Sequence, residues 1–397
     1  DQKIVMAHVY GHADFFKNNA WFANTDRNMM AVMANHGTKI RRYMERFGQN
    51  KIEEFIDRVL SLENLIDVGM LFETQELKRQ REERLVIAKE EIANTEDDRS
   101  SALKSFMRTK EKAGKQNEVK EIVSDLREKK IDAPRDIMFF LLENAPLEEW
   151  EADILGILRD EAYYFLPQRL TKIMNEGWAS YWHSHIMTTR ALKASEIIDY
   201  ADHHAGVMAM SRQNINPYKI GIELYRDIEY RWNTGRFGKE YNECEDMHAK
   251  LNWNKDLGLG RSKIFEVRRT HNDVSFIDEF FTPEFCERQQ LFTYKYNPRT
   301  GRSEIETRDF LEIKNKLLNQ LSNFGSPVIE VESGNFQNRG ELLLRHVHRG
   351  VDLDFAYASD TLRNLYALWK RPVNITSRQE EQSLTLSFDG VDFKQTK

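Results

Sequence analysis

Apolar positions recur at three- and four-residue intervals through "AVMANHGTKIRRYMERFG" and "NKIEEFIDRVLSLENLI", so residues 1–72 read as amphipathic helices. From 73 to 132 that rhythm gives way to a charge-rich stretch of interleaved sign, nearly free of aromatics, which predicts a solvated helical or partly disordered insert. Helical periodicity returns with "DIMFFLLENA", and "PLEEW" opens a helix over 147–165 with Pro146 near its first turn. Pro167 is placed at the start of the next helix, "LPQRLTKIMNEGWASYWHSHIMTTRALKA". Asn216 is a candidate N-cap, and Pro217 the first helical residue, of "NPYKIGIELYRDIEYRW". Beyond residue 255 alternation replaces the helical period. "LFTYKYNPRTGRSEIETRD" reads as a hairpin, and "SPVIEVES" and "RGELLLRHVHRG" as strands joined by the turn "NFQNRG". "ASDTLRNLYALWK" is an amphipathic helix and "SLTLSFDG" a last strand. The expected architecture is a mainly α-helical domain over 1–72 and 133–255, the charged insert over 73–132, and a smaller α+β domain over 256–397.

Composition narrows the class. Lys and Arg number 58 against 64 Asp and Glu, a net charge of −6, and the basic residues are interleaved with acids, so no nucleic-acid partner is expected. No apolar run approaches the roughly 20 residues that a membrane span needs. Cys244 and Cys286 are isolated, which suits a reducing, cytoplasmic compartment and excludes a cysteine-based zinc site. The opening "DQKIVMAHVY" has neither an initiator Met nor the pattern of a signal peptide, and reads as a piece of something longer.

The candidate chemistry begins with "AHVYGH". His8 and His12, four apart, share one helix face and can offer two imidazoles to a metal, although short patterns of this kind recur by chance. Gly11 costs about 1 kcal/mol in a helix relative to Ala, so its presence predicts a close approach by another backbone or a ligand. In "NEGWASYWHSH", Glu176 and His183 are seven apart and Trp178 and Trp182 four apart. That pattern suits a ligand and its outer partner in a dry pocket, and equally an aromatic core helix. Asp14, Glu161 in "LRDEAYYF", His203 and His204, and Glu223 with Asp227 are further polar candidates, each also readable as solvated helix surface. His346 and His348 alternate along a strand and read as a polar sheet surface.

The segments "HVYGHADFFKNNAWF", "KIMNEGWASYWHSHI", "INPYKIGIELYRDIEYRW" and "LRHVHRGVDLD…YASDTLRNLYALWKRPV" together resemble the stage V sporulation protein R family over essentially the whole chain, apart from the insert. The resemblance implies a bacterial cytoplasmic protein linked to assembly of the spore cortex peptidoglycan. It also implies other sporulation or stress proteins as partners, a peptidoglycan-related substrate, and a further stretch before the "HVYGH" helix. His204 looks like a family counterpart histidine. No settled biochemical activity comes with the family.

A more distant resemblance is to metallopeptidase-like families that pair an H-E-x-x-H helix with a later "EGWAxY" segment. It implies a metallopeptidase-like helix arrangement with His8, His12 and Glu176 as metal ligands, zinc first and iron second. Val9 departs from the pattern, because it stands where those families carry the glutamate that takes a proton from water. The reading therefore stays divided. One branch is a metal-dependent hydrolase without the usual base, with His183 and Glu161 as candidate catalytic groups. The others are a non-enzymatic factor and, third, a non-haem iron oxidoreductase.

Overall fold

The computed structural model describes residues 2–72, 135–209, 216–379 and 382–396, so the charged insert expected over 73–132 lies outside the described residues. The chain forms two units, one of residues 1–46 and 160–327 and the other of residues 47–159 and 328–397. Helices dominate the N-terminal region, and a small sheet occupies the C-terminal region. Among the described residues no helix is long and apolar enough to cross a membrane.

The helices used below are α1 (Gln2–Asn18), α2 (Met29–Phe47), α3 (Gln49–Leu60), α4 (Ile137–Asn144), α5 (Glu149–Leu170), α6 (Lys172–Ile186), α7 (Ile197–Val207), α8 (Pro217–Thr234), α9 (Gly260–Thr270), α10 (Asp273–Phe280) and α11 (Phe355–Trp369). Their ends follow local chemistry. Asn216 caps α8 by accepting from the N–H groups of Tyr218 and Lys219, with Pro217 in the first turn, and left-handed Gly235 closes the helix. Asn272 and Ser275 form a reciprocal cap on α10. Pro167, expected at a helix start, lies instead in the last turns of α5, and the new helix begins only at Lys172. Thr171, at the N-cap position of α6, does not cap it, because its hydroxyl donates back to the Pro167 carbonyl at 2.7 Å. The free N–H groups of Ile173 and Met174 donate instead to the buried Asp273 carboxylate, at 2.8 and 2.9 Å. A residue a hundred positions downstream thus anchors the start of α6.

The first unit is packed around α6. Trp178, Tyr225, Phe15, Phe276, Phe280 and Phe285 are fully buried, and the Trp178 and Tyr225 rings meet edge to face at 5.3 Å. Three helices touch through backbone. A Cβ on Gly11 of α1 would stand 2.6 Å from the Cα of Ala179 on α6, and one on Gly177 of α6 would stand 2.5 Å from the Cα of Gly221 on α8. The close approach expected at Gly11 is therefore that of a neighbouring helix. Residues 260–288, within the stretch expected to be α+β, form α9, α10 and the short helix Pro283–Arg288. The expected hairpin is present as β1 (Thr293–Asn297) and β2 (Arg302–Thr307).

In the second unit, Trp150 packs against Phe47 and Phe55, and Phe140 of α4 stacks on Trp369 at 5.6 Å. The five strands β3 (Ile329–Phe336), β4 (Glu341–His346), β5 (Val373–Gln379), β6 (Gln382–Phe388) and β7 (Phe393–Thr396) lie in sequence order. β4 and β5 are parallel, with α11 as their connection, and the other pairs are antiparallel. His346 is buried, and its Nδ1 lies 2.8 Å from the Ser377 hydroxyl oxygen, so it is part of the sheet interior rather than a polar surface.

Two outcomes test this packing. Gly177→Ala, which in an open helix would add stability, is expected to lower the unfolding free energy by about 1–3 kcal/mol, read from urea denaturation; an unchanged or raised midpoint contradicts the helix contact. Burial pushes the Asp273 carboxyl up to about 7, against the pull of the Ile173, Met174 and Lys172 N–H groups. Between pH about 4 and about 7 the folded state then holds a proton that the unfolded state releases, so this group's contribution to stability falls as pH rises through that window. The stability difference between the native chain and Asp273→Asn, measured across that range, should shrink with rising pH; a flat or growing difference contradicts it.

Candidate functional site

Close packing of α1 on α6 brings the histidine face of α1 against Glu176. The Nε2 atoms of His8 and His12 each stand 3.4 Å from Glu176 Oε2, and the two imidazole rings are 4.5 Å apart, edge to face. One ligand atom from each of the three residues lies within 4.8 Å of the others. All three side chains are half-buried. Glu176 Oε2 has no hydrogen-bond partner despite being shielded from solvent, because the imidazole contacts fall outside hydrogen-bond geometry. Val9, at the position that carries the base in the metallopeptidase pattern, is 52 % exposed and has no group that can take a proton.

The neighbours of the cluster orient it. His12 Nδ1 donates to the Asn175 amide oxygen at 2.8 Å, which turns the His12 Nε2 lone pair toward Glu176. Burial pushes the Glu176 carboxyl up, but the His12 and His8 imidazoles outweigh it and hold the group down at about 2. Burial pulls the His12 imidazole down, and Glu176 with Asn175 more than reverses this, so its pKa lies above the ordinary histidine value. Tyr218, at the start of α8, stacks on His8 at 6.1 Å. Burial raises its phenol, and the charge of Glu176 raises it further, so the hydroxyl keeps its proton.

The other candidates divide. His183 lies one ring further along, 5.8 Å from His8, and burial together with the neighbouring His8, His204 and His203 pulls its pKa down to about 4. Glu161 is not brought to the cluster: its contact is with His36 of α2, at 3.1 Å. Asp14 accepts from Trp178 Nε1 at 2.9 Å and from Arg268, which fixes the foot of α1. Asp227 is buried and paired with Arg231 and Arg288, and Glu223 pairs with Arg226 and Lys219; both are structural. Asn19 donates to the carbonyls of Arg268 and His271, which gives the asparagine after α1 an anchoring role. Asn175 and Tyr218 join the cluster without a motif of their own in the sequence. The signal for Asn175 was its place directly before Glu176. For Tyr218 it was the capped Pro217 start that delivers a phenol at a helix mouth.

Residues 1–326 match the family described as SpoVR like protein, and residues 327–380 match the SpoVR-like C-terminal domain. The chain belongs to the SpoVR-like family. It is similar to the uncharacterized protein YcgB of Escherichia coli (strain K12), with 28 % identity over 408 residues that cover 97 % of this chain and 75 % of the relative. No solved structure matches the chain.

Glu176→Gln removes the charge that favours the His12 imidazolium. In chelator-treated protein, the His12 ring signals followed by NMR across a pH titration should show a lower pKa in the variant; an equal or higher value contradicts the pairing.

Proposed function

We propose that this SpoVR-like chain is a cytoplasmic metal-dependent hydrolase serving spore cortex peptidoglycan, in which His8, His12 and Glu176 hold a zinc ion. The observation that carries the reading is the pair of 3.4 Å separations between imidazole Nε2 and Glu176 Oε2. Ligand atoms about 2.0–2.1 Å from a tetrahedral zinc lie about 3.3–3.4 Å from one another, whereas a charged hydrogen bond would draw the same atoms to about 2.8 Å. The donor set of two histidines and one carboxylate has the composition of a catalytic zinc site with an open position, and it also suits iron. Asn175 fits as the outer partner that fixes the His12 tautomer. The metal-site likeness to metallopeptidase families supports the same assignment.

A zinc ion there supplies Lewis acidity and lowers the pKa of a bound water. The chain's own residues do the rest. Glu176 stays ionised at neutral pH and supplies the negative charge of the ligand set. His183, neutral at the same pH, accepts or returns a proton next to His8. Tyr218 offers a protonated hydroxyl on the Glu176 side. Trp178, fully buried on the same helix, helps to keep the floor of the site dry. Glu161, engaged with His36, takes no part in proton transfer.

A second reading has its own support. Val9 stands where the usual base would be and Glu161 is engaged with His36, which favours a non-enzymatic factor that works through other sporulation or stress proteins, with the histidines and Glu176 as a polar network.

Elemental analysis of the purified chain should find one zinc per chain, lost in His8→Ala, and Asn175→Ala should weaken zinc binding about 10- to 100-fold. Incubation with cortex peptidoglycan and mass spectrometry of the soluble products should then give cleavage that stops with chelator and in His8→Ala. Stoichiometric iron favours the oxidoreductase reading. Zinc without cleavage favours the partner-binding factor, and a folded metal-free chain overturns both enzyme readings.

A further inference from the structure

Beyond the three-residue cluster, α6 and α7 enclose a second group of polar side chains. His183 of α6 is 6 % exposed, and its Nε2 has no hydrogen-bond partner. Tyr200 of α7, also 6 % exposed, carries a hydroxyl without a hydrogen bond of good geometry, with Ser184 as a polar neighbour. The two rings meet edge to face at 5.5 Å. His204, one turn along α7, stacks on Tyr200 at 5.6 Å and lies 6.2 Å from His183. Ala7, Met187, Ile4 and Leu192 wrap the Tyr200 side, so the two unpaired polar atoms sit against apolar surface. Buried polar atoms are nearly always paired, and two that lack good hydrogen bonds on side chains whose rings touch call for a ligand.

We propose that His183, Tyr200 and His204 form an oxyanion pocket beside the His8–His12–Glu176 cluster and take a carboxylate or phosphate group of the substrate. Each of the three offers an N–H or O–H donor, and donors gathered in an apolar setting favour an anionic acceptor. The cations Arg226 and Lys219 of α8 bear on His204. The facing carboxylates are already engaged, Glu223 with Arg226 and Lys219, and Glu176 with His8 and His12. His183, 5.8 Å from His8, links the pocket to the metal ligands, so a group held there would lie next to the reacting position. Calling the anion part of the substrate rests on the hydrolase reading. The affinity of the pocket does not.

Calorimetric titration of inorganic phosphate and, separately, acetate into the chelator-treated full chain tests this. One of the two should bind with unit stoichiometry, phosphate pointing to a phosphorylated substrate and acetate to a carboxylated one. Tyr200→Phe, which keeps the ring and removes only the hydroxyl, and His204→Gln should each weaken that binding about tenfold. Absence of binding overturns the pocket, as does affinity unchanged by both Tyr200→Phe and His204→Gln. So does binding that needs added zinc and disappears in His8→Ala, since the anion would then be a ligand of the metal. Anion binding that persists in a chain unable to hold zinc leaves the pocket standing and removes the metal centre, so the two failures are separable.

Discussion

The rest of the first unit depends on backbone contact at three glycines. Gly11 lies on the Cα of Ala179, and Gly177 and Gly221 lie on each other, so α1, α6 and α8 pack more closely than any side chain would permit. Glycine weakens each helix taken separately, and tertiary packing has to offset that cost. The return is position. Glu176 directly precedes Gly177, and His12 directly follows Gly11, so the residues that make the contact are neighbours of the residues that form the cluster. A wider crossing would carry the carboxylate out of reach of both imidazoles.

Polar contacts then fix what packing brings together. Asp273 holds the first turn of α6, where Thr171 has turned back to Pro167, and so sets the axial position of Glu176 and His183. Asp14, Arg268 and Asn19 tie the far end of α1 to the helices around residues 268–271. Between these anchors an ionised carboxylate, two imidazoles and the Asn175 amide are held in a half-buried setting, with the unpaired His183 and Tyr200 groups behind them.

Much of the cluster was legible in the chain because it rests on helical periodicity. Four-residue spacing puts His8 and His12 on one face whatever the surroundings, and the Asn216–Pro217 start of α8 follows from local backbone chemistry. Its partner Glu176 came from resemblance to a motif, since nothing in spacing says which helix will meet which. Long-range choices were hidden for the same reason. Nothing in its spacing says that Glu161 pairs with His36, and Asp273 lies a hundred residues from the helix that it anchors. Pro167 was read as a helix start because proline favours a first turn, whereas here α5 accommodates it near its end. Residues 260–288 were obscured by short helices, whose period has little room to show before the next cap.

We propose that His8, His12 and Glu176 hold one metal ion through two imidazole nitrogens and a carboxylate oxygen. X-ray absorption at the zinc edge of the loaded full chain tests it most directly. The expected spectrum is a low-coordinate shell of nitrogen and oxygen at about 2.0–2.1 Å, with the outer scattering of two imidazoles that falls to one in His12→Ala. A shell containing sulfur, or an all-oxygen shell without imidazole scattering, would contradict it.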